Sequence, residues 1–285
     1  MNKLELSRKA LVYALAATLC LAGARNLSAG QNDQGHKQQG QKQQQPKPDE
    51  EMQMGQEVFN ELKAKGEIVQ SSPLYDVLNP IADAITKAAQ PRYNHPFKFY
   101  LVHEDKPNAF SAPGGNVYVV DALLYFVKNT DELVGTLCHE VSHTIHHDSM
   151  NKMQQEEKIA KREIAAAVLL GADRFQLLAI LLLGDLHSLS YSRGEESRAD
   201  LTGSDICATT VYNPYGLVWL FQDFQNADTT DVPEILSDHP SDQDRIDALK
   251  KHFRENPAVF GKYDSDPKLA RPLSVPKDSA EVFLH

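Results

Sequence analysis

The chain has 285 residues, with 29 Lys and Arg against 39 Asp and Glu, a net charge of −10 and 41% hydrophobic residues. Such an acidic balance gives no electrostatic footprint for nucleic acid, while the length suffices for one domain with a substantial core. No G-x-x-x-x-G-K-[ST] loop or G-x-G-x-x-G turn occurs, which argues against nucleotide chemistry.

From the N-terminus, Lys3, Arg8 and Lys9 precede an apolar run from Ala10 to Ala24 that ends on small residues at Ala22 and Ala24. This layout predicts a secretory signal peptide over residues 1–24 and export, first to a periplasm, with the cell exterior as the alternative. The run is shorter than the roughly 20 residues of a bilayer span, so an uncleaved anchor is the lesser alternative. Cys20 follows Leu19, where lipoprotein processing wants a small residue, so lipid attachment is not expected. Residues 25–50 are dominated by Gln, Lys, Gly and Pro and read as a disordered linker. The domain is expected over residues 51–253, followed by an extended tail over 254–285 without helical repeats.

Within the domain, patterning predicts helices near Glu51–Lys65 and Pro73–Gln90, then strands at Phe97–His103 and Asn116–Val120. Further helices are expected near Asp131–Met150, Lys152–Leu170, Phe175–Leu189, Ser192–Cys207, after Pro214, and near Pro240–Phe253. The fold class is therefore α+β, mostly helical with a small sheet. Ile164–Leu189 is the most apolar stretch, but Asp173, Arg174 and Asp185 interrupt it, which disfavours a transmembrane helix. Burial against the Asp131–Met150 helix is the expectation, with membrane-surface contact the alternative.

Chemistry concentrates in His139-Glu140-Val141-Ser142-His143, an H-E-x-x-H pattern. Histidines four apart share a helix face and can reach one metal ion, while Glu140 can contact a metal-bound water. Chance supplies the bare pattern in roughly one chain in 30 of this length, and its bland reading is two histidines on an amphipathic helix. A catalytic zinc site usually has three protein ligands and one open position. Glu196-Ser197-Arg198-Ala199-Asp200 offers the third: Glu196 would ligate, and Asp200, one turn on, would accept the ring N–H of a ligand histidine.

With these residues placed, the sequence resembles the gluzincin metallopeptidases of the group that includes HtpX, BepA, LoiP and the CAAX prenyl protease. Two more patches carry the resemblance in the same order. Asn108-Ala109-Phe110 leads through Gly114-Gly115 into the strand from Asn116, and His239-Pro240 is followed by Arg245. The resemblance implies a zincin-type domain whose small sheet borders the cleft. It also implies a substrate strand involving Gly115, Asn116 and Val117, which would hold an extended peptide by backbone pairing. His239 would lie near the metal, stabilising the oxyanion or, in a resting form, binding the metal. Arg245 reads as a helix anchor ahead of a substrate contact, and its role stays open. Unlike HtpX and the CAAX protease, this chain lacks membrane spans between the motifs, and unlike BepA it lacks helical repeats.

His146 and His147 read as solvated helix histidines, and Cys138 and Cys207 as buried thiols or a disulfide pair. The expected function is a zinc metalloendopeptidase, one Zn2+ per chain, acting on exported or misfolded envelope polypeptides. Zn2+ on His139, His143 and Glu196 would acidify its bound water, Glu140 would take the proton, and His239 could steady the oxyanion. The rival is a chaperone-like binding protein that keeps this fold without cutting.

Overall fold

The structure is a computed structural model that describes residues 49–186, 191–226, 239 and 243–276. The signal peptide, the linker up to residue 48, residues 187–189 of the Phe175–Leu189 helix and residues 277–285 of the tail lie outside the described residues.

Helix α1 (Glu50–Lys65) is capped by the Asp49 carboxylate and stopped by Gly66 at φ 80°. A short β1 (Ile68–Val69), α2 (Leu74–Ala89) and β2 (Lys98–Val102) follow. Next come a hairpin of β3 (Ala109–Ala112) and β4 (Asn116–Val120), and α3 (Asp121–Phe126). The sheet order is β1-β2-β4-β3, with β4 parallel to β2 and antiparallel to β3. Gly114 and Gly115 make the hairpin turn at φ 78° and 87°, and a Cβ on Gly115 would sit 2.4 Å from the Pro96 carbonyl oxygen. Only glycine meets both demands.

Period-two alternation along β4 divides the interior into two cores. Val117 and Val119 face a cluster with Leu78, Leu133, Leu137 and Ile206, whereas Tyr118 faces Met54, Val58, Leu177 and Leu178. The first core holds α2 together with α4 (Thr130–Ile145), α8 (Arg193–Ala208), α9 (Gly216–Asn226) and α10 (Gln243–Glu255). The second holds α1 with α5 (Asp148–Ile159), α6 (Lys161–Leu169) and α7 (Arg174–Leu186). The architecture is α+β and mostly helical.

Several expectations need correction. The Asp131–Met150 helix ends at Ile145, because His147 adopts φ 56°, and Asp148 starts a new helix. The Lys152–Leu170 helix is broken at Ala160 into α5 and α6. The apolar stretch is buried through Leu177, Leu178, Leu182 and Leu183, but against α1 rather than α4, because it serves the opposite face of the sheet. Strand β4 has a partner on each side, so Gly115, Asn116 and Val117 offer no free edge to a peptide. Of the two edge strands, β1 and β3, the one beside α4 is β3, and its four residues are buried.

The domain also extends past Phe253. Helix α11 (Pro257–Phe260) buries Phe260, and Arg271 donates its backbone N–H to Asp131 while its carbonyl accepts from Thr130 at the start of α4. No helix among the described residues is long and apolar enough to cross a membrane.

Helices α4 and α8 pack backbone to backbone at Gly203, where a Cβ would lie 3.0 Å from Cys138 C and O and from His139 N. We expect Gly203→Val to cost about 1–3 kcal/mol through overpacking, read as a lower urea midpoint. An unchanged midpoint would contradict this packing.

Candidate metal centre

Each chemical side chain is placed by a helix with a clear local cause. In α4, Asn129 caps the N-terminus by accepting from Glu132 N–H, and an apolar face of Leu133, Val134, Leu137 and Val141 fixes the rotation. His139, Glu140 and His143 are thereby all buried. In α8, Ser192 and Glu195 form a capping box that starts the helix just before Glu196.

The two helices bring His139, His143 and Glu196 together, and His239 joins them from outside. One ligand atom from each of the four lies within 4.8 Å of the others. His139 Nε2 is 3.1 Å from His143 Nε2 and 3.2 Å from His239 Nδ1. Glu196 Oε1 is 2.9 Å from His239 Nδ1 and 3.6 Å from His143 Nε2, and Oε2 is 3.4 Å from His139 Nε2. Donors about 2.0–2.1 Å from a tetrahedral metal stand about 3.3 Å apart, so these separations are those of a closed four-ligand shell.

The far side of each ring strengthens this fit. His139 Nδ1 is 3.0 Å from Asp200 Oδ1, an ion-pair contact whose N–H is not well aligned on the oxygen, and His143 Nδ1 is 2.9 Å from Asp148 Oδ2. Carboxylates there place the ring protons on Nδ1 and leave both Nε2 lone pairs facing each other. His239 Nε2 is 3.3 Å from Glu140 Oε1, which turns its Nδ1 lone pair toward the same point. Lone pairs and a carboxylate in a buried space repel one another unless a cation sits among them.

Titration of the groups agrees with that demand. Burial lowers the His139 pKa, but hydrogen bonds to Asp200 and Glu196 outweigh it and raise it to about 10. Burial would raise Glu196, yet the charge of His239 and hydrogen bonds from His139, His143 and His239 hold it well below the usual carboxylate range. Both shifts mark a pocket that favours positive charge.

Arg245 completes the frame. Its Nε and Nη2 donate to Asp200 at 2.8 and 2.7 Å, its Nη1 lies 2.8 Å from Glu196 Oε2, and it stacks over Phe221 at 4.4 Å. It also donates to the His239 carbonyl. The expected helix anchor is thus an anchor of the ligand set.

Two further residues escape a sequence reading. Asp148 comes into reach of His143 only because of the left-handed turn at His147, and Arg198 holds its other oxygen. Tyr191 stacks on His143 with ring centres 4.0 Å apart and planes at 15°, and burial pushes its phenol up, keeping it neutral. Nothing in the pattern flags Tyr191, while the carboxylate five residues past His143 was a signal available for Asp148. His146 contacts Thr202 and His147 contacts Glu51, both away from the cluster. Cys138 and Cys207 are free buried thiols.

Burial raises Asp200, but Arg245 and then His139 outweigh it, so its folded-state pKa lies below the ordinary value. Its contribution is therefore full above the unfolded carboxylate pKa of about 4 and lost as pH falls through the folded value. We expect Asp200→Asn to cost about 3–5 kcal/mol at pH 7, because it leaves a buried Arg245 short of its partner. The difference from wild type should shrink on acidification. Urea unfolding across pH checks this, and a loss under about 1 kcal/mol at pH 7 would contradict it.

Comparison with known proteins now adds to this geometry. Residues 74–252, more than half of the chain, match Peptidase family M48. The beta-barrel assembly-enhancing protease of Yersinia pestis is 27% identical over 208 residues, covering 70% of this chain and 43% of that protein. The mitochondrial metalloendopeptidase OMA1 of Schizosaccharomyces pombe is 28% identical over 165 residues, 56% of this chain and 47% of that protein. The protease HtpX homolog of Aquifex aeolicus is 25% identical over 202 residues, 53% and 64% respectively. The chain thus spans less than half the length of the first two relatives.

Proposed function

Because the chain belongs to peptidase family M48, a metallopeptidase family, we propose that it is a zinc-dependent endopeptidase that cleaves exported or misfolded envelope polypeptides. The observation that carries this reading is the convergence of His139, His143, Glu196 and His239 on one point with Glu140 at its edge. An envelope setting is supported by the signal-peptide pattern of residues 1–24 and by relatives whose name is beta-barrel assembly-enhancing protease.

His139, His143 and Glu196 would hold the ion, with Asp200, Asp148 and Tyr191 fixing the two rings. Zinc, when bound, supplies Lewis acidity that activates water and polarises a carbonyl. Glu140 then takes the proton of the attacking water and delivers it to the leaving amine. Glu140 is 1% exposed, and the low dielectric around it strengthens the hydrogen bond it would make to that water.

An extended substrate would add to β3. The Val120 N–H bonds to the Asn108 carbonyl, and alternation from there turns the backbone groups of Ala109 and Ser111 outward. The Ser149 hydroxyl donates to the Ser111 carbonyl and β3 is buried, so a peptide would have to displace what covers this edge.

His239 supports a resting reading as well. Its Nδ1 stands within the donor set, where the fourth position would otherwise admit water. Displacement by substrate would free the ring to donate to the developing oxyanion.

Glu140→Gln should keep the metal, measured by elemental analysis, and lose at least a hundredfold in cleavage of an unfolded protein. Equal cleavage would sink the base assignment, and chelator-insensitive protection without fragments would favour the chaperone-like binder. In the same assay His239→Ala should raise basal cleavage if the ring blocks the site at rest. A fall would leave only the oxyanion role.

A further inference from the structure

The second core ends in a surface that the proposed chemistry does not use. Of the nine large apolar side chains exposed among the described residues, four lie between residues 159 and 170. Ile159 is 63% exposed, Val168 40%, Leu169 88% and Leu170 67%. Isolated exposed apolar residues are ordinary, but four within twelve residues, three of them consecutive at the end of α6, are not scattered singly.

The helix itself explains how they gather. In α6, Ile164 and Ala167 turn inward to the second core, while Arg162, Ala165, Ala166 and Leu169 follow the opposite face at spacings of three and four. Lys158 near the end of α5 and Lys161 and Arg162 at the start of α6 stand exposed, and Val168 to Leu170 follow at its end, just before Gly171 reverses the chain at φ 96°. Residues 158–172 carry three basic groups and one acidic, Glu163, a net charge of +2, between Glu156 and Glu157 on one side and the exposed Asp173 on the other. Exposed basic groups before and at the start of α6 and bare leucines at its end thus lie along one short segment.

That pairing selects a partner. A nucleic acid would use the basic groups but not Leu169 and Leu170, and a purely apolar groove would have no use for the basic row. An anionic bilayer surface accommodates both, taking leucines at the acyl boundary and lysines and arginine among the headgroups. We propose that the turn formed by Ile159 to Leu170 docks this protein on an anionic lipid surface without crossing it. The docking arm continues directly from Asp148, the residue that orients His143, so it would hold the cleft close to the membrane.

The test uses the full chain carrying Leu169→Trp, beside Val211→Trp, which sits at another exposed apolar position, and the wild type, whose Trp219 is buried. Each is mixed with vesicles of brominated phosphatidylcholine, with or without phosphatidylglycerol. The indole placed at 169 should shift to the blue and be quenched on the vesicles containing phosphatidylglycerol, and the one at 211 should not. Adding Lys158→Gln, Lys161→Gln and Arg162→Gln should weaken binding on the order of 100-fold, at about fivefold per basic residue. No quenching at 169, or no more than at 211, would overturn the proposal and assign any vesicle binding to another part of the chain. A blue shift without quenching would identify a second copy of the chain as the occupant instead. Equal quenching on neutral vesicles would overturn the charge half.

Discussion

Everything around the centre answers one electrostatic demand: buried nitrogen lone pairs and a carboxylate face one another across 2.9–3.6 Å and need positive charge between them. Each ring is held in that tautomer from behind, His139 by Asp200 and His143 by Asp148. Those carboxylates would themselves be costly to bury, and Arg245 and Arg198 offset that cost. Arg245 reaches Asp200, Glu196 and the His239 carbonyl together, so one guanidinium ties α10 to α8 and to the fourth donor. The close approach of α4 and α8 at Gly203 sets the distance on which the donor separations depend.

The sequence shows the part of this that helical spacing encodes. His139 and His143 share a face because they are four apart, and Glu196 and Asp200 for the same reason, so four polar residues could be assigned to two faces before any fold was known. What brings the faces together is long-range and invisible locally. The Asp131–Met150 pattern continues smoothly past Ile145, yet the left-handed turn at His147 ends the helix and folds Asp148 back to His143. Tyr191 reaches His143 across the cleft from a segment with no periodic signal.

Strand order escapes local patterning in the same way. The β-branched run from Asn116 to Val120 reads correctly as a strand, but its neighbours are decided by the crossover that sets β4 parallel to β2. Its edge is therefore spent, and the edge beside the ligand helix passes to β3, a four-residue strand between a loop and a glycine turn. The apolar stretch after Ile164 was legible as buried, but not which side of the sheet it would cover. The residues beyond Phe253 look extended by composition, and only their pairing with Thr130 and Asp131 makes them part of the domain.

Two features set the chemistry in a larger frame. His239 Nδ1 stands among the donors and the Ser149 hydroxyl bonds the Ser111 carbonyl of β3, while the arm that begins at Asp148 runs past exposed basic residues to exposed leucines. A substrate or a surface that moves that arm would act on the residue orienting His143. The most direct test of the whole account is zinc content, by elemental analysis of the purified chain beside a His143→Ala variant. The account predicts about one equivalent in the first and a clear loss in the second. A variant that keeps a full equivalent, or a wild type that binds no metal when zinc is supplied, would contradict it.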